Sequence, residues 1–146
     1  MNKLLPQANS LDVLIDTFKY CVEHPSYSKH DLATHIGYRL RQVDYYLNAC
    51  IYLGILAPDG SPTNYSKQLY DLGESLRLGI YERIINDPLI GKIFTHYLIF
   101  STSDIKEFAM REVSLSYPDY KDVVIKRRVS TLISWCDEIM TFVKFS

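Results

Sequence analysis

The sequence predicts a mainly α fold, on three observations. Apolar residues recur at the helical period of about 3.6 residues through most of the chain. Ser, Asp and Gly residues stand where those periodic segments begin or end, as helix caps do. The composition, 146 residues with 47% hydrophobic and 23% charged, is that of an ordinary globular protein of one domain or two small ones.

The first three predicted helices follow one another closely. The first covers about residues 11–22 behind Ser10 as N-cap, and the second begins after Ser28, which is placed to cap it, and runs to residue 36. Gly37 closes the second helix as a left-handed residue, and a third helix follows over about residues 39–53.

A β-hairpin is predicted next, over residues 55–67, with its turn at Asp59-Gly60 and its second strand near residues 64–67. Three helices followed by a hairpin match the plan of a winged helix-turn-helix. We assign residues 10–78 to this unit.

The second unit, residues 79–146, is helical as well. Asp87-Pro88 opens a helix to about residue 100, and others are expected over about 104–113 and 123–140, with a loop at 114–118 and an apolar tail at 142–145. Two interpretations stay open: a second winged-helix-like unit packed on the first, or a helical extension that covers it.

Charge, targeting signals and cysteines exclude several classes of protein. The net charge of -1 gives no global attraction to nucleic acid or anionic lipid. The opening residues lack the apolar run of a signal peptide and no stretch could span a bilayer, so we expect a cytoplasmic protein without a membrane partner. Cys21, Cys50 and Cys136 lie in apolar helical patterns, which predicts reduced, buried thiols.

The outer face of the third helix holds the first set of candidate DNA contacts. Successive side chains are rotated by about 100° about the axis of a helix, and this rotation places four polar candidates on or beside the outer face: Arg39, Arg41, Gln42 and Tyr45. Arg can bind guanine and Gln can bind adenine through two hydrogen bonds each, so this face is suited to reading base edges. The plain alternative is a solvated helix face.

The last helix holds the second set, in the most basic stretch of the chain. Its candidates for DNA contact are Lys126, Arg127, Arg128, Ser130 and Thr131. Three adjacent cations cannot all point one way from a helix, so we expect one stem to pack over apolar surface. In the hairpin, four further residues are candidates for phosphate contact: Ser61, Thr63, Asn64 and Lys67.

Several segments of the chain resemble a known family. Residues 27–37, 41–46, 52–56 and 64–66 resemble winged-helix DNA-recognition regions associated with type II restriction endonucleases, and Ile125–Trp135 is similar to the basic helix with a Trp that ends such regions. The resemblance implies a module that binds double-stranded DNA, without chemistry of its own, beside a nuclease or methyltransferase partner.

Catalysis has little support in the sequence. Asp104 with Lys106 and Asp119 with Lys121 fit the loose spacing of a Mg²⁺ nuclease, but both pairs lie where helices are expected to start. The four His residues show no zinc spacing, and no cofactor motif is present. We therefore expect a DNA-binding protein for restriction-modification or transcription regulation. A protein-interaction module of the same fold is the alternative, and a homodimer is compatible with either.

Overall fold

A computed structural model describes residues 3–100 and 104–145. Within these ranges the chain forms eight α-helices and no strand, which confirms the mainly α prediction. The helices are α1 (Leu11–Glu23), α2 (Lys29–Ile36), α3 (Leu40–Tyr52), α4 (Asn64–Tyr70), α5 (Leu76–Ile85), α6 (Pro88–Phe100), α7 (Ile105–Ser116) and α8 (Asp122–Phe145).

The first three helices pack against one another, and the first two begin where their Ser caps predict. The Ser10 hydroxyl accepts a hydrogen bond of 3.2 Å from the Val13 amide, and the Ser28 hydroxyl accepts one of 3.0 Å from the Asp31 amide. Gly37, with φ +73°, makes the left-handed turn between α2 and α3. The shared core of these helices includes the fully buried side chains of Phe18, Leu32, Val43 and Cys50.

The predicted hairpin over residues 55–67 is wrong. The turn at Asp59-Gly60 exists, but it lies in a tight loop in which the Ala57 amide donates to the Ser61 carbonyl at 2.9 Å. The Thr63 hydroxyl then accepts from the Ser66 amide at 3.1 Å, and the Ser66 hydroxyl accepts from the Thr63 amide at 2.9 Å. This reciprocal capping box starts α4 in the place of a second strand.

The loss of the hairpin removes the predicted wing contacts. The Ser61 hydroxyl donates to the Asp59 carboxylate at 2.6 Å, and the Thr63 hydroxyl caps α4, so both are used within the loop. Asn64 and Lys67 are exposed, but on α4. No wing therefore supports phosphate contacts from these four residues.

The second half is a helical group formed by α6, α7 and α8. Asp87 caps α6 as predicted, since its carboxylate accepts from the amides of Leu89 and Ile90 at 3.2 and 3.0 Å. The expected apolar tail at residues 142–145 is part of α8. The boundary predicted between residues 78 and 79 falls inside α5, which packs on α4 and α6.

Residues 3–10 form an extended N-terminal segment that joins the two halves. Its Leu5 carbonyl accepts from Arg128 Nη1 at 2.6 Å, and its Ala8 carbonyl accepts from Trp135 Nε1 at 2.7 Å. On the other side, the Ser10 amide donates to the Tyr46 hydroxyl at 3.2 Å. The N-terminal segment thus holds α8 in a fixed position relative to α3.

The three cysteines are free and buried, as predicted. Burial raises the pKa of the Cys21 thiol to about 11 and that of the Cys136 thiol to about 12, so both remain protonated near neutral pH. In the described ranges, no helix combines the length and the apolar character that crossing a membrane requires.

Candidate nucleic-acid interface

A groove of about 800 Å³ lies between α3 and α8 and is here called the α3–α8 groove. It brings together two predicted clusters that are more than eighty residues apart in sequence. Its walls and floor are formed by Gln7, Asn9, Ser10, Tyr38, Gln42, Tyr45, Tyr46, Val123, Lys126, Arg127, Ser130, Thr131, Ser134 and Glu138.

One wall is a single stripe of α8. Arg127, Ser130, Ser134 and Glu138 recur every three or four residues and therefore share a helix face. The opposite face of α8 is buried in the core and carries Ile125, Val129, Leu132, Cys136 and Ile139. Burial of that apolar face fixes the rotation of α8, so that Lys126 and Arg127 are exposed at the groove.

The other wall is the first half of α3. The Gln42 side-chain oxygen accepts from the Arg39 amide at 3.2 Å and so satisfies one of the free amides at the start of the helix. Tyr45 lies one turn further on, and its hydroxyl accepts from Arg41 Nε at 3.0 Å. Arg39 and Arg41 are exposed beside the groove and are not among its lining residues.

The floor of the groove is the polar end of the N-terminal segment. The Asn9 side-chain oxygen accepts from the Thr131 hydroxyl at 2.7 Å, and the Asn9 carbonyl accepts from the Ser134 hydroxyl at 3.2 Å. Tyr46, held by Ser10, closes the floor on the α3 side. The two walls therefore keep their separation through hydrogen bonds to one short segment.

The charge of the groove changes sign along α8. Lys126 and Arg127 stand towards the start of the helix, and Glu138 lies about 18 Å further along its axis at 1.5 Å per residue. The two Glu138 carboxylate oxygens accept from the Leu11 amide at 3.1 and 3.3 Å. Burial raises the pKa of Glu138, and the hydrogen bond from Leu11 opposes that rise.

Two of the predicted contact residues have structural roles. Thr131 is fully buried, with its hydroxyl on Asn9, so the prediction that it lies on an exposed face is wrong. Arg128 is the predicted cation with a packed stem: its guanidinium binds the Leu5 carbonyl and lies 5.9 Å from the Tyr120 ring centroid. Neither side chain is free to contact DNA, because each is committed to the N-terminal segment.

The remaining predicted residues lie at or beside the groove. Gln42, Tyr45, Lys126, Arg127 and Ser130 line it, and Arg39 and Arg41 flank it. Of the other side chains of α3, Ala49 and Tyr52 are buried and belong to the core.

Sequence reasoning missed the groove residues contributed by the N-terminal segment, Gln7 and Asn9, and also Tyr38 and Glu138. Glu138 follows Ser134 by four residues, so extending the stripe of α8 by one turn would have found it. The polar run Gln-Ala-Asn-Ser directly before α1 is the signal for the floor, but nothing in the sequence shows which helix it covers.

Comparison with known proteins gives a family without an assigned activity. Residues 14–144 match the family described as a domain of unknown function, DUF7226. The chain belongs to this family. No curated protein and no solved structure matches it.

The range matched by DUF7226 includes α3 and all but the last residue of α8, so it contains the two walls of the groove, whereas the N-terminal segment lies outside it. Within residues 3–100 and 104–145, no three His, Cys, Asp or Glu residues are grouped closely enough to hold a metal ion. The groove therefore offers hydrogen-bonding groups, two cations and aromatic rings as its means of recognition.

Proposed function

We propose that this chain is a DNA-binding module and that the α3–α8 groove, with Arg39 and Arg41 beside it, is its contact surface. The observation that carries the proposal is the convergence of Gln42 and Tyr45 from α3 with Lys126 and Arg127 from α8 on one groove. Exposed cations beside hydroxyl groups are the usual partners of phosphate oxygens.

The absence of ion pairs, among the described residues, at the cations in and beside the groove supports this function. In the part of the chain that the structure describes, Lys29, Arg77 and Lys92 form salt bridges with carboxylates, whereas Arg39, Arg41, Lys126 and Arg127, like several other surface cations such as Arg111, form none. Cations without a carboxylate partner are available to replace the counterions of a phosphate backbone. This local availability matters because the net charge of the chain is -1.

The arrangement of the first three helices supports the same function. α2, the Gly37 turn and α3 have the order of a helix-turn-helix, in which residues near the start of the second helix contact base edges. Arg41 is exposed at that position, and an Arg side chain can bind guanine through two hydrogen bonds. We propose a helix-turn-helix without a wing at residues 55–67, and, on the resemblance to restriction-endonuclease recognition regions, a nuclease or methyltransferase partner.

The experiment that tests this function is fluorescence anisotropy with a labelled duplex that carries a single-stranded tail. We expect binding that weakens as salt rises from about 50 to 200 mM, because bound cations release counterions from the DNA. Arg127→Ala should reduce the slope of log affinity against log salt by about one.

The matched control for that variant is Arg111→Ala, which removes the same charge from an exposed residue of α7 away from the groove. Its salt dependence should equal that of the wild type. Absence of binding at low salt, or equal effects of the two variants, would overturn the proposal.

A second candidate function is protein binding at the end of α6. Leu98, Ile99 and Phe100 are consecutive and are 53%, 66% and 58% exposed, an unusual run of apolar surface for a monomer. Sedimentation velocity of the wild type and Phe100→Ser tests whether the surface pairs two copies of the chain. A concentration-dependent dimer that the substitution abolishes would support this function, and a monomer at all concentrations would contradict self-pairing.

A further inference from the structure

We infer that the α3–α8 groove holds one unpaired DNA strand and not the face of a duplex. The inference rests on the proposed function and specifies its ligand. Three features carry it: the concave shape of the site, the aromatic side chains among its cations, and the reversal of charge along its length.

The shape argues against insertion of the polar face of α3 into a duplex. The major groove is about 12 Å wide and accepts one helix that projects from its protein. Here Gln42 and Tyr45 face α8 across the groove, and Asn9 closes the space beneath them. A face of α3 that lines a groove beside α8 is less suited to a duplex groove than a helix that projects freely, whereas a single strand can lie between the two helices.

The lining groups match those of sites for single strands. Such sites combine a cationic groove that follows the backbone with aromatic rings on which bases stack. Lys126 and Arg127 supply the cations, and the half-buried Tyr38 and Tyr45 supply rings on the opposite wall. The hydrogen bond from Arg41 fixes the Tyr45 hydroxyl and leaves a guanidinium next to the ring.

The charge reversal gives the groove a cationic end and an anionic end. Phosphates are attracted near Lys126 and Arg127 and repelled near Glu138, about 18 Å away along α8. At about 3.4 Å for each stacked nucleotide, that distance accommodates about five nucleotides. A carboxylate at the far end can also accept a hydrogen bond from the amino group of a base.

The test uses the whole chain and measures anisotropy with three labelled probes: an oligothymidine of about twelve nucleotides, a blunt duplex, and the tailed duplex. We expect the oligothymidine and the tailed duplex to bind at least about tenfold more tightly than the blunt duplex. An oligodeoxyuridine and an oligouridine of the same length differ only in the sugar, so equal or tighter binding of the oligouridine would overturn the choice of DNA over RNA.

Substitutions of groove residues test whether the DNA strand binds in the α3–α8 groove. Tyr45→Leu should weaken oligothymidine binding about tenfold while Tyr45→Phe, which keeps the ring, should bind within about twofold of the wild type. Glu138→Gln should tighten binding several-fold because a repelling charge is removed. Tyr65→Leu, at an exposed position of α4, is the matched control, and circular dichroism verifies that each variant is folded.

Each outcome decides between the two proposals. Tight binding of the blunt duplex without binding of the oligothymidine overturns the single-strand inference and leaves DNA binding intact. No binding of any probe at about 50 mM salt overturns both. Binding of the oligothymidine that Tyr45→Leu and Arg127→Ala both leave unchanged places the strand elsewhere and overturns the inference.

Discussion

Trp135 Nε1 donates a hydrogen bond of 2.7 Å to the carbonyl oxygen of Ala8, a residue 127 positions earlier in the chain. The indole is fully buried, and Ala8 is 1% exposed. Burial in an apolar environment makes such a bond costly to lose, because the carbonyl would have no water to replace its partner. The bond therefore ties the N-terminal segment to α8 at the base of the groove.

Trp135→Phe tests the strength of this link. The substitution removes the donor and leaves the Ala8 carbonyl unsatisfied, and the smaller ring leaves a cavity, so we expect the free energy of unfolding to fall by about 2–4 kcal/mol. Urea denaturation followed by circular dichroism measures the change. Tyr65→Phe, at a position 39% exposed, should shift the midpoint little, and an equal shift in both variants would contradict the role given to Trp135.

Substitution of either of two adjacent arginines of α8 should have a different effect: one should lower stability and the other should lower DNA affinity. Arg128→Met keeps an apolar stem but removes the hydrogen bond to Leu5, so the free energy of unfolding should fall by about 1–3 kcal/mol. Arg127→Met, at an exposed position, should change stability by less than about 0.5 kcal/mol and reduce the salt slope of DNA binding by about one. Urea midpoints and anisotropy together measure both effects, and a reversed pattern would show that the two roles are wrongly assigned.

The Glu138 carboxyl should make stability depend on pH. Its pKa is raised above the ordinary value of 4.5 by burial, so the folded protein holds this proton more tightly than the unfolded chain does. The contribution of Glu138 to the free energy of unfolding therefore falls as pH rises from 4.5 through the raised value.

Glu138→Gln isolates that contribution, because its amide oxygen can still accept from the Leu11 amide but does not ionise. Urea unfolding of both proteins between about pH 4 and pH 7 should show the wild type losing stability relative to the variant as pH rises. Parallel stability curves would mean that Glu138 has the same pKa in the folded and unfolded states.

Gly37 should be required because of its left-handed backbone conformation, and not because a larger side chain would collide with a neighbour. Its φ is +73°, and a Cβ added there would meet no atom within 4 Å. Gly37→Ala is therefore expected to lower the free energy of unfolding by about 1–2 kcal/mol through left-handed strain alone. Gly37→Asn should cost less, since Asn tolerates this region; equal costs measured by urea denaturation would contradict the explanation.

Local chemistry made much of the helical fold predictable. Ser10, Ser28 and Asp87 cap helices in the structure as they do in the sequence pattern, since a cap depends only on residues two or three positions away. The prediction of a hairpin was wrong because it overlooked a local cap of this kind. Thr63 and Ser66 have the spacing of a capping box, and their local hydrogen bonds favour a helix over the strand assigned to these residues.

The candidate site was predictable only as two separate helix faces. Helical periodicity places Gln42 with Tyr45, and Arg127 with Ser130, but it contains no information about the distance between α3 and α8. Arg128 and Thr131 were wrongly included among the DNA contacts because their partners, Leu5 and Asn9, are more than 120 residues away. Contacts between such distant residues depend on how the helices pack together, and a local sequence pattern does not determine that packing.

The pairing of the N-terminal segment with α8 also constrains how the chain acquires its fold during translation. Leu5, Ala8 and Asn9 are made before α1, yet their partners leave the ribosome only after more than 120 further residues have been added. Contacts between such distant parts of a sequence form late and slow folding. The nascent chain can assemble α1, α2 and α3 early, but both walls of the groove are joined only after α8 has emerged.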